Sequence, residues 1–162
     1  MDILTTERLV LRPQRADDAP FVLALMNDPD WIRYIGDRGV RTVEDARRYI
    51  LDGAVRMYAE HGVGLYLVEA AGEPVGLCGL IHRDFLPDPD LGFAFAAAHR
   101  RRGYAREASE AVLAAAPARV AAIVTADNEA SIALLVSLGF THQGPFEYPG
   151  GDTVQLYSRT SA

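Results

Sequence analysis

Six consecutive residues in the middle of the chain have the composition of an anion-binding loop. They are Arg100-Arg101-Arg102-Gly103-Tyr104-Ala105, and they lie between a predicted strand and a predicted helix. A helix that begins here presents free N–H groups and the positive end of its dipole, and Gly103 lets a ligand approach the backbone. Three cations beside that positive end are locally unfavourable, so their placement favours a bound anion. The segment predicts a diphosphate cradle, with a solvated charge run at a helix start as the alternative.

The cradle needs a strand before it and a helix after it, and the hydrophobic pattern predicts both. Residues 91–95 form a short apolar strand, and residues 103–116 have helical periodicity until Pro117. Further strands are predicted at residues 9–11, 63–69, 75–81, 120–124, 141–146 and 153–157, and further helices are capped by Asp17, Thr42 and Asn128. Hairpins followed by one strand-helix-strand crossover predict a mixed α/β fold, a central mixed sheet of about seven strands flanked by four helices. We interpret residues 1–162 as one domain.

Composition narrows the classes of partner. The formal net charge is −6, so the chain lacks the basic surplus that binding a nucleic-acid backbone needs. Cys78 is the single cysteine and the histidines lack metal-ligand spacing, so we predict neither a disulfide nor a metal site. No apolar run approaches the roughly 18 residues of a membrane span, and no secretory leader pattern is evident. We therefore expect a cytoplasmic protein without a nucleic-acid or membrane partner.

The cradle and three further blocks resemble the GCN5-related N-acetyltransferases. The cradle matches the family pattern Gln/Arg-x-x-Gly-x-Gly/Ala through Arg100, Gly103 and Ala105. The other blocks are similar to the branch that contains RimJ and RimL, the ribosomal-protein N-terminal acetyltransferases. They are LTTERLVLRP at 4–13, DLGF at 90–93, and NEAS at 128–131 with LGF at 138–140. In this order they extend over nearly the whole chain.

The resemblance implies acetyl-coenzyme A as the co-substrate, bound without a metal where two parallel strands splay. These strands are expected at 91–95 and 120–124. The resemblance further implies that an amide near Phe93, Ala94 and Phe95 polarises the thioester carbonyl, which stabilises the negative charge that develops on its oxygen. Amides of the cradle would hold the diphosphate. Asn128 resembles the family's asparagine near the pantetheine arm, and an ordinary helix N-cap is the alternative.

Direct acetyl transfer needs an unprotonated amine and a proton for the departing thiolate. Asp90 occupies the place of an acidic residue in the resembled branch, and it is the predicted base, with His82, Asp84 or water as alternatives. Many relatives place a proton-donating tyrosine seven residues after the asparagine, where this chain has Leu135. Ser131 matches the serine of the ribosomal-protein branch and is the predicted donor to sulfur, although a helix serine that bonds its own backbone is the alternative.

The acceptor side is expected between residues 28–41 and 146–152, with Trp31, Tyr34 and Tyr148 as walls or as packing lids. The leading hypothesis is an N-acetyltransferase that works through a ternary complex, as a monomer or homodimer. Its acceptor would be an amine-bearing small molecule, a peptide or a protein N-terminus. A catalytically weak or inactive acyl-CoA-binding module is the alternative, because the tyrosine is missing. A phosphate or nucleic-acid binder is disfavoured by the net charge.

Overall fold

A sheet of eight strands runs through the computed structural model, which describes residues 1–161. In chain order the strands are β1 (Leu4–Thr5), β2 (Leu9–Pro13), β3 (Leu65–Ala70), β4 (Glu73–Ile81), β5 (Asp90–Phe95), β6 (Arg119–Val124), β7 (Thr141–Glu147) and β8 (Thr153–Thr160). Their order across the sheet is β1-β2-β3-β4-β5-β6-β8-β7. The pair β5 and β6 is parallel and the other neighbours are antiparallel, so the sheet is mixed as predicted.

Residues 1–161 also contain six α-helices, which lie between the strands in the sequence. They are α1 (Ala19–Met26), α2 (Pro29–Tyr34), α3 (Val43–Ile50), α4 (Arg56–His61), α5 (Tyr104–Ala114) and α6 (Glu129–Ser137). A π-helical turn, Leu51–Val55, joins α3 directly to α4. The mixed α/β prediction is confirmed, while the counts of strands and helices are higher than expected. Strand β1 has two residues and helix α2 has six, so neither is long enough to produce a hydrophobic period.

Capping signals located the starts of α3 and α6 correctly and misplaced the start of α1. Thr42 begins α3 as predicted, because its hydroxyl accepts from the Asp45 N–H at 3.0 Å and the Asp45 carboxylate accepts from the Thr42 N–H at 3.2 Å. The cap predicted at Asp17 is wrong. A 3₁₀ turn that ends at Asp18 precedes α1, and it is the Asp18 carboxylate that accepts from the Arg15 N–H at 2.9 Å.

Side chains that alternate along the central strands bury both faces of the sheet. On β3, Leu67 packs with α1 and α3, whereas Val68 packs with α5 on the opposite face. On β4, Leu77 and Cys78 divide between the two faces in the same way. Because β3 and β4 are covered on both sides, they hold β5 firmly along one edge and leave its other edge towards β6.

Candidate active site

The parallel strands β5 and β6 pair at a single point. Asp90 lies opposite Ala121, whose N–H donates to the carbonyl of Pro89 at 2.9 Å. Past this point the ladders within residues 1–161 contain no further pair between the two strands, although β5 stays paired with β4 as far as Phe95. The strands therefore separate towards their carboxyl ends. This is the opening that the family resemblance implied.

The alternation of a strand decides which backbone groups face the opening. The Ala96 N–H donates towards β4, whereas the Pro89 carbonyl accepts from β6. Because successive residues point to opposite sides, the N–H and carbonyl of Phe93 face the opening and those of Ala94 face β4. Phe95 has the same parity as Phe93. Of the three predicted residues, Phe93 thus has an amide at the middle of the free edge.

A cleft of about 920 Å³ occupies the space at and beyond the opening. It brings together eight of the predicted site residues: Trp31, Tyr34, Asp90, Phe93, Ala94, Asn128, Ser131 and Tyr148. Phe95 and the cradle residues Arg100 to Ala105 lie outside its lining. The alternative bases His82 and Asp84 border a separate depression of about 250 Å³. Of the three candidate bases Asp90, His82 and Asp84, it is Asp90 that lies at the cleft.

Asp90 lies at the vertex of the opening with 2% of its side chain exposed. The Arg83 guanidinium donates to the Asp90 carboxylate from Nε at 2.8 Å and to the Tyr148 hydroxyl from Nη1 at 2.9 Å. Burial raises the pKa of Asp90 above the ordinary range of an aspartate, and the attraction and hydrogen bond of Arg83 oppose this in part. A carboxylate with a raised pKa is a stronger proton acceptor.

Asn128 at the N-cap of α6, Ser131 in its first turn and Leu135 one turn further on line the cleft. The Asn128 side-chain oxygen accepts from the Ser131 N–H at 3.3 Å, so Asn128 is the N-cap of α6, and its contact with a pantetheine arm stays a prediction. None of the hydrogen bonds within residues 1–161 uses the amide nitrogen of Asn128, which leaves this group for a ligand. Ser131 and Leu135 are four residues apart and share one helix face. Leu135 is thus at the cleft, where a tyrosine at that position would also be.

The cradle has the backbone geometry of an anion site. Arg101 and Gly103 adopt left-handed φ angles of 63° and 79°, and α5 begins at Tyr104. Gly103 is the N-cap and has no side chain, and within residues 1–161 no side chain accepts from the first N–H groups of α5. These free donors fit a diphosphate. The Arg100 guanidinium is engaged elsewhere, because it donates to the Phe95 carbonyl at 2.9 Å and pairs with acidic residues at the start of α2.

The three side chains predicted to form the acceptor wall differ in how deeply they are buried. Trp31 is buried, with 6% of its surface exposed. Tyr34 and Tyr148 are half-buried, and the Tyr148 ring meets Phe85 edge-on at 5.2 Å between centroids. Trp31 therefore supports the cleft floor as part of the core, whereas the two tyrosines keep ring surface that an acceptor can contact.

Arg83 and Tyr49 also border the cleft, although they were not among the residues predicted from the sequence. Strand register would have located Arg83, because Ile81 pairs with Asp90 and Arg83 follows two residues later. Tyr49 has no such signal. It falls in the apolar stripe of α3 and for that reason resembles a core residue, yet 37% of its surface is exposed.

Two further observations concern metal ligands and membrane-spanning helices. Residues 1–161 contain no group of three or more histidine, cysteine or acidic side chains placed to hold a metal ion. Among the helices that the structure describes, none has the length and apolar composition to cross a bilayer.

Comparison with known proteins identifies the family of the chain. The profile described as "Acetyltransferase (GNAT) domain" matches residues 8–141. The chain is similar to the uncharacterised N-acetyltransferase YoaA of Bacillus subtilis (strain 168), at 29% identity over 88% of this chain and 84% of the relative. It is also similar in structure to a putative GNAT-family acetyltransferase of Bordetella pertussis, with 27% identity, a TM-score of 0.81, and 99% and 100% of the two chains covered. RimL, the ribosomal L7/L12 α-N-protein acetyltransferase solved with coenzyme A, has a TM-score of 0.84 at 18% identity, with 98% of each chain covered.

The mixed sheet with its splayed parallel pair is similar in fold to these solved acetyltransferases. The chain belongs to the GNAT acetyltransferase family, because the family profile spans most of its length. The predicted family is thereby confirmed. The protein is an N-acetyltransferase that uses acetyl-coenzyme A, and its fold is similar to that of RimL.

Proposed function

We propose that this protein transfers the acetyl group of acetyl-coenzyme A directly to a primary amine while both substrates are bound. The amine would belong to a protein N-terminus, a peptide or a small molecule. The observation that carries the proposal is the position of Asp90. Within residues 1–161 it is the one buried acidic side chain at the cleft, and it lies where β5 and β6 part. An amine that enters the cleft meets this carboxylate beside the free edge of β5.

The coenzyme supplies the thioester, and three parts of the chain position it. The free N–H groups at the start of α5 bind the diphosphate. The unpaired edge of β5 binds the pantetheine arm, with the Asn128 amide nitrogen on the opposite side. The Phe93 N–H donates to the thioester carbonyl and stabilises the charge that develops on its oxygen, an effect typically worth a few kcal/mol per donor.

Asp90 takes the proton of the amine, directly or through water. Its raised pKa suits this role, because a base works best when its pKa approaches the working pH. Arg83 limits the upward shift of the pKa and orients the carboxylate. Ser131 faces the sulfur from α6 and passes its hydroxyl proton to the departing thiolate, while its oxygen takes a replacement proton from solvent and Asp90 releases the amine proton to solvent. This serine takes the place of the tyrosine that Leu135 excludes.

The acceptor enters past Tyr34 and Tyr148. RimL is an α-N-protein acetyltransferase of ribosomal L7/L12, and its similar fold supports a protein N-terminus as the class of acceptor here. A cytoplasmic location, a single domain and a monomeric or homodimeric state stay predictions.

The test measures coenzyme binding and transfer separately. Acetyl-coenzyme A at a hundredfold excess over its Kd stabilises the native state by about 2.7 kcal/mol, so the melting temperature rises. Thiol release is then followed with small amines and with peptides that have a free N-terminus. Gly103→Glu, which places a carboxylate in the cradle, is expected to abolish the thermal shift.

Three outcomes are distinguishable. Thiol release with one class of amine supports the proposal and identifies the acceptor. A thermal shift without release from any amine favours the binding-module alternative, which Leu135 supports. A folded wild-type protein with no thermal shift contradicts coenzyme binding altogether.

A further inference from the structure

The N-terminal block LTTERLVLRP has no part in the chemistry above, yet one of its side chains reaches the cradle. Arg8 precedes β2 and donates from Nε to the Glu107 carboxylate of α5 at 2.7 Å. Its Nη1 donates to the Arg102 carbonyl at 2.7 Å. The guanidinium also lies over the Tyr104 ring, 4.8 Å from the centroid. Arg8 thus contacts both the loop and the helix that together form the cradle.

Glu107 holds Arg8 in this orientation. Its carboxylate also accepts from the Arg8 N–H at 3.0 Å and from the Thr6 hydroxyl. Partial burial alone would raise the pKa of Glu107, but the hydrogen bonds from Thr6 and Arg8 outweigh burial and lower it. Glu107 is therefore ionised at neutral pH and fully used by these partners. It orients the arginine without adding a free negative charge to the cradle.

One nitrogen of Arg8 stays available at the helix start. No hydrogen bond within residues 1–161 uses Nη2, and a Cβ placed on Gly103 would be 3.3 Å from it. Gly103 is the N-cap of α5, so Nη2 lies beside the uncapped N–H groups. The Arg8 side chain is 44% exposed, which leaves it accessible to a ligand. An anion at the helix start would meet this nitrogen together with the backbone donors.

We propose that Arg8 is a coenzyme-binding residue that donates from Nη2 to a phosphate of the bound coenzyme. Its bond to the Arg102 carbonyl also keeps the loop in the left-handed conformation of Gly103. A guanidinium can make both hydrogen bonds, one to the Arg102 carbonyl and one to a phosphate, because its planar group holds several N–H donors in fixed directions. This inference rests on the proposed function, since it takes acetyl-coenzyme A as the ligand of the cradle.

The test compares two thioesters. Acetyl-coenzyme A contains the diphosphate, whereas S-acetylpantetheine ends before it. For Arg8→Ala we expect the Kd by calorimetry and the KM for acetyl-coenzyme A to rise about tenfold, as for the loss of one charge-assisted hydrogen bond at a part-exposed site. The kcat stays unchanged, and so does kcat/KM for S-acetylpantetheine.

Two variants accompany Arg8→Ala. Arg8→Lys keeps the charge but cannot reach Glu107, the Arg102 carbonyl and a phosphate together, so it is expected to weaken acetyl-coenzyme A binding severalfold. It also serves if the alanine variant fails to fold. Arg56→Ala removes an arginine whose ion pair with Glu60 has the same 2.7 Å distance on α4. This control is expected to bind both thioesters as the wild type does.

Equal weakening towards both thioesters, or a fall in kcat alone, would show that Arg8 only supports the fold and would overturn the inference. Unchanged acetyl-coenzyme A binding in a folded Arg8→Ala protein would do the same. Failure of the proposed function is seen separately, since the wild-type protein would then bind neither thioester.

Discussion

Asp90→Asn gives the sharpest test of the chemistry, because it removes a charge while keeping the size of the side chain. In the proposed mechanism, Asp90 of the wild type accepts the amine proton. In the variant, the amine must lose its proton to solvent before it attacks. An α-amino group has a pKa of about 8, so roughly a tenth of it is unprotonated at pH 7. General-base catalysis is typically worth about 10²–10⁴-fold, and we expect a loss of about 10²-fold at pH 7.

The variant also disturbs a buried ion pair. Removing one partner of such a pair costs about 3–5 kcal/mol when the other charge is left fully buried. Arg83 is 19% exposed, keeps its bond to the Tyr148 hydroxyl, and can still donate to the asparagine oxygen. We therefore expect a smaller destabilisation of about 2 kcal/mol, or a melting temperature roughly 4–8 °C lower. Assays at 25 °C thus measure a folded enzyme.

The assay is kcat/KM for a peptide acceptor between pH 6 and 10. We expect the wild type and Asp90→Asn to differ most at pH 7 and to converge above about pH 9, where the acceptor amine is already deprotonated. Asp88→Asn is the matched control. It is two residues away, pairs with Arg119 at 3.3 Å, and does not border the cleft. Its kinetics are expected to equal those of the wild type at every pH.

A pH-independent ratio between wild type and Asp90→Asn would refute the role of Asp90 as the base. The double variant Arg83→Met with Asp90→Asn separates a second explanation. If the loss arose from an unpaired Arg83 charge, the double variant would recover activity, whereas loss of a base persists in it.

Three further predictions concern the sulfur donor, the acceptor wall and the fold. Ser131→Ala is expected to lower kcat and kcat/KM together by about 10²-fold or less, and wild-type kinetics would exclude it as the proton donor. Tyr148→Phe removes the acceptor of one Arg83 hydrogen bond. The KM for the amine is therefore expected to rise about fivefold, with little change in the KM for acetyl-coenzyme A. An equal rise in both KM values would contradict a role confined to the acceptor side. Burial would raise the pKa of Asp18, but the hydrogen bonds from Arg12 and from the Arg15 N–H lower it. Asp18 therefore stabilises the fold above the pKa that it has in the unfolded chain. This stabilisation is lost as the pH falls through the pKa of the folded state. Asp18→Asn is therefore expected to cost about 2 kcal/mol in urea unfolding at pH 7 and clearly less at pH 3, and an equal cost at both would contradict this reasoning.

Local signals identified much of the fold because their physical causes are local. The Thr42 capping box and the glycine at the start of α5 act within one helical turn, so a short stretch of sequence contains all that determines them. The cradle could be predicted for the same reason. Asp17 shows the limit of such signals, since the neighbouring Asp18 competes for the same role and only the backbone path decides between them.

The sequence by itself determined the family, the order of the elements other than β1 and α2, and the segment predicted to bind the diphosphate, because each depends on residues that are neighbours in the chain. Only the tertiary structure decided that Asp90 is buried against Arg83, that the Phe93 amide faces the opening, and that Arg8 reaches Glu107 across 99 residues. These features depend on strand register and on side chains that meet through the fold. A linear pattern contains neither, since both follow from how the sheet twists and what packs against it.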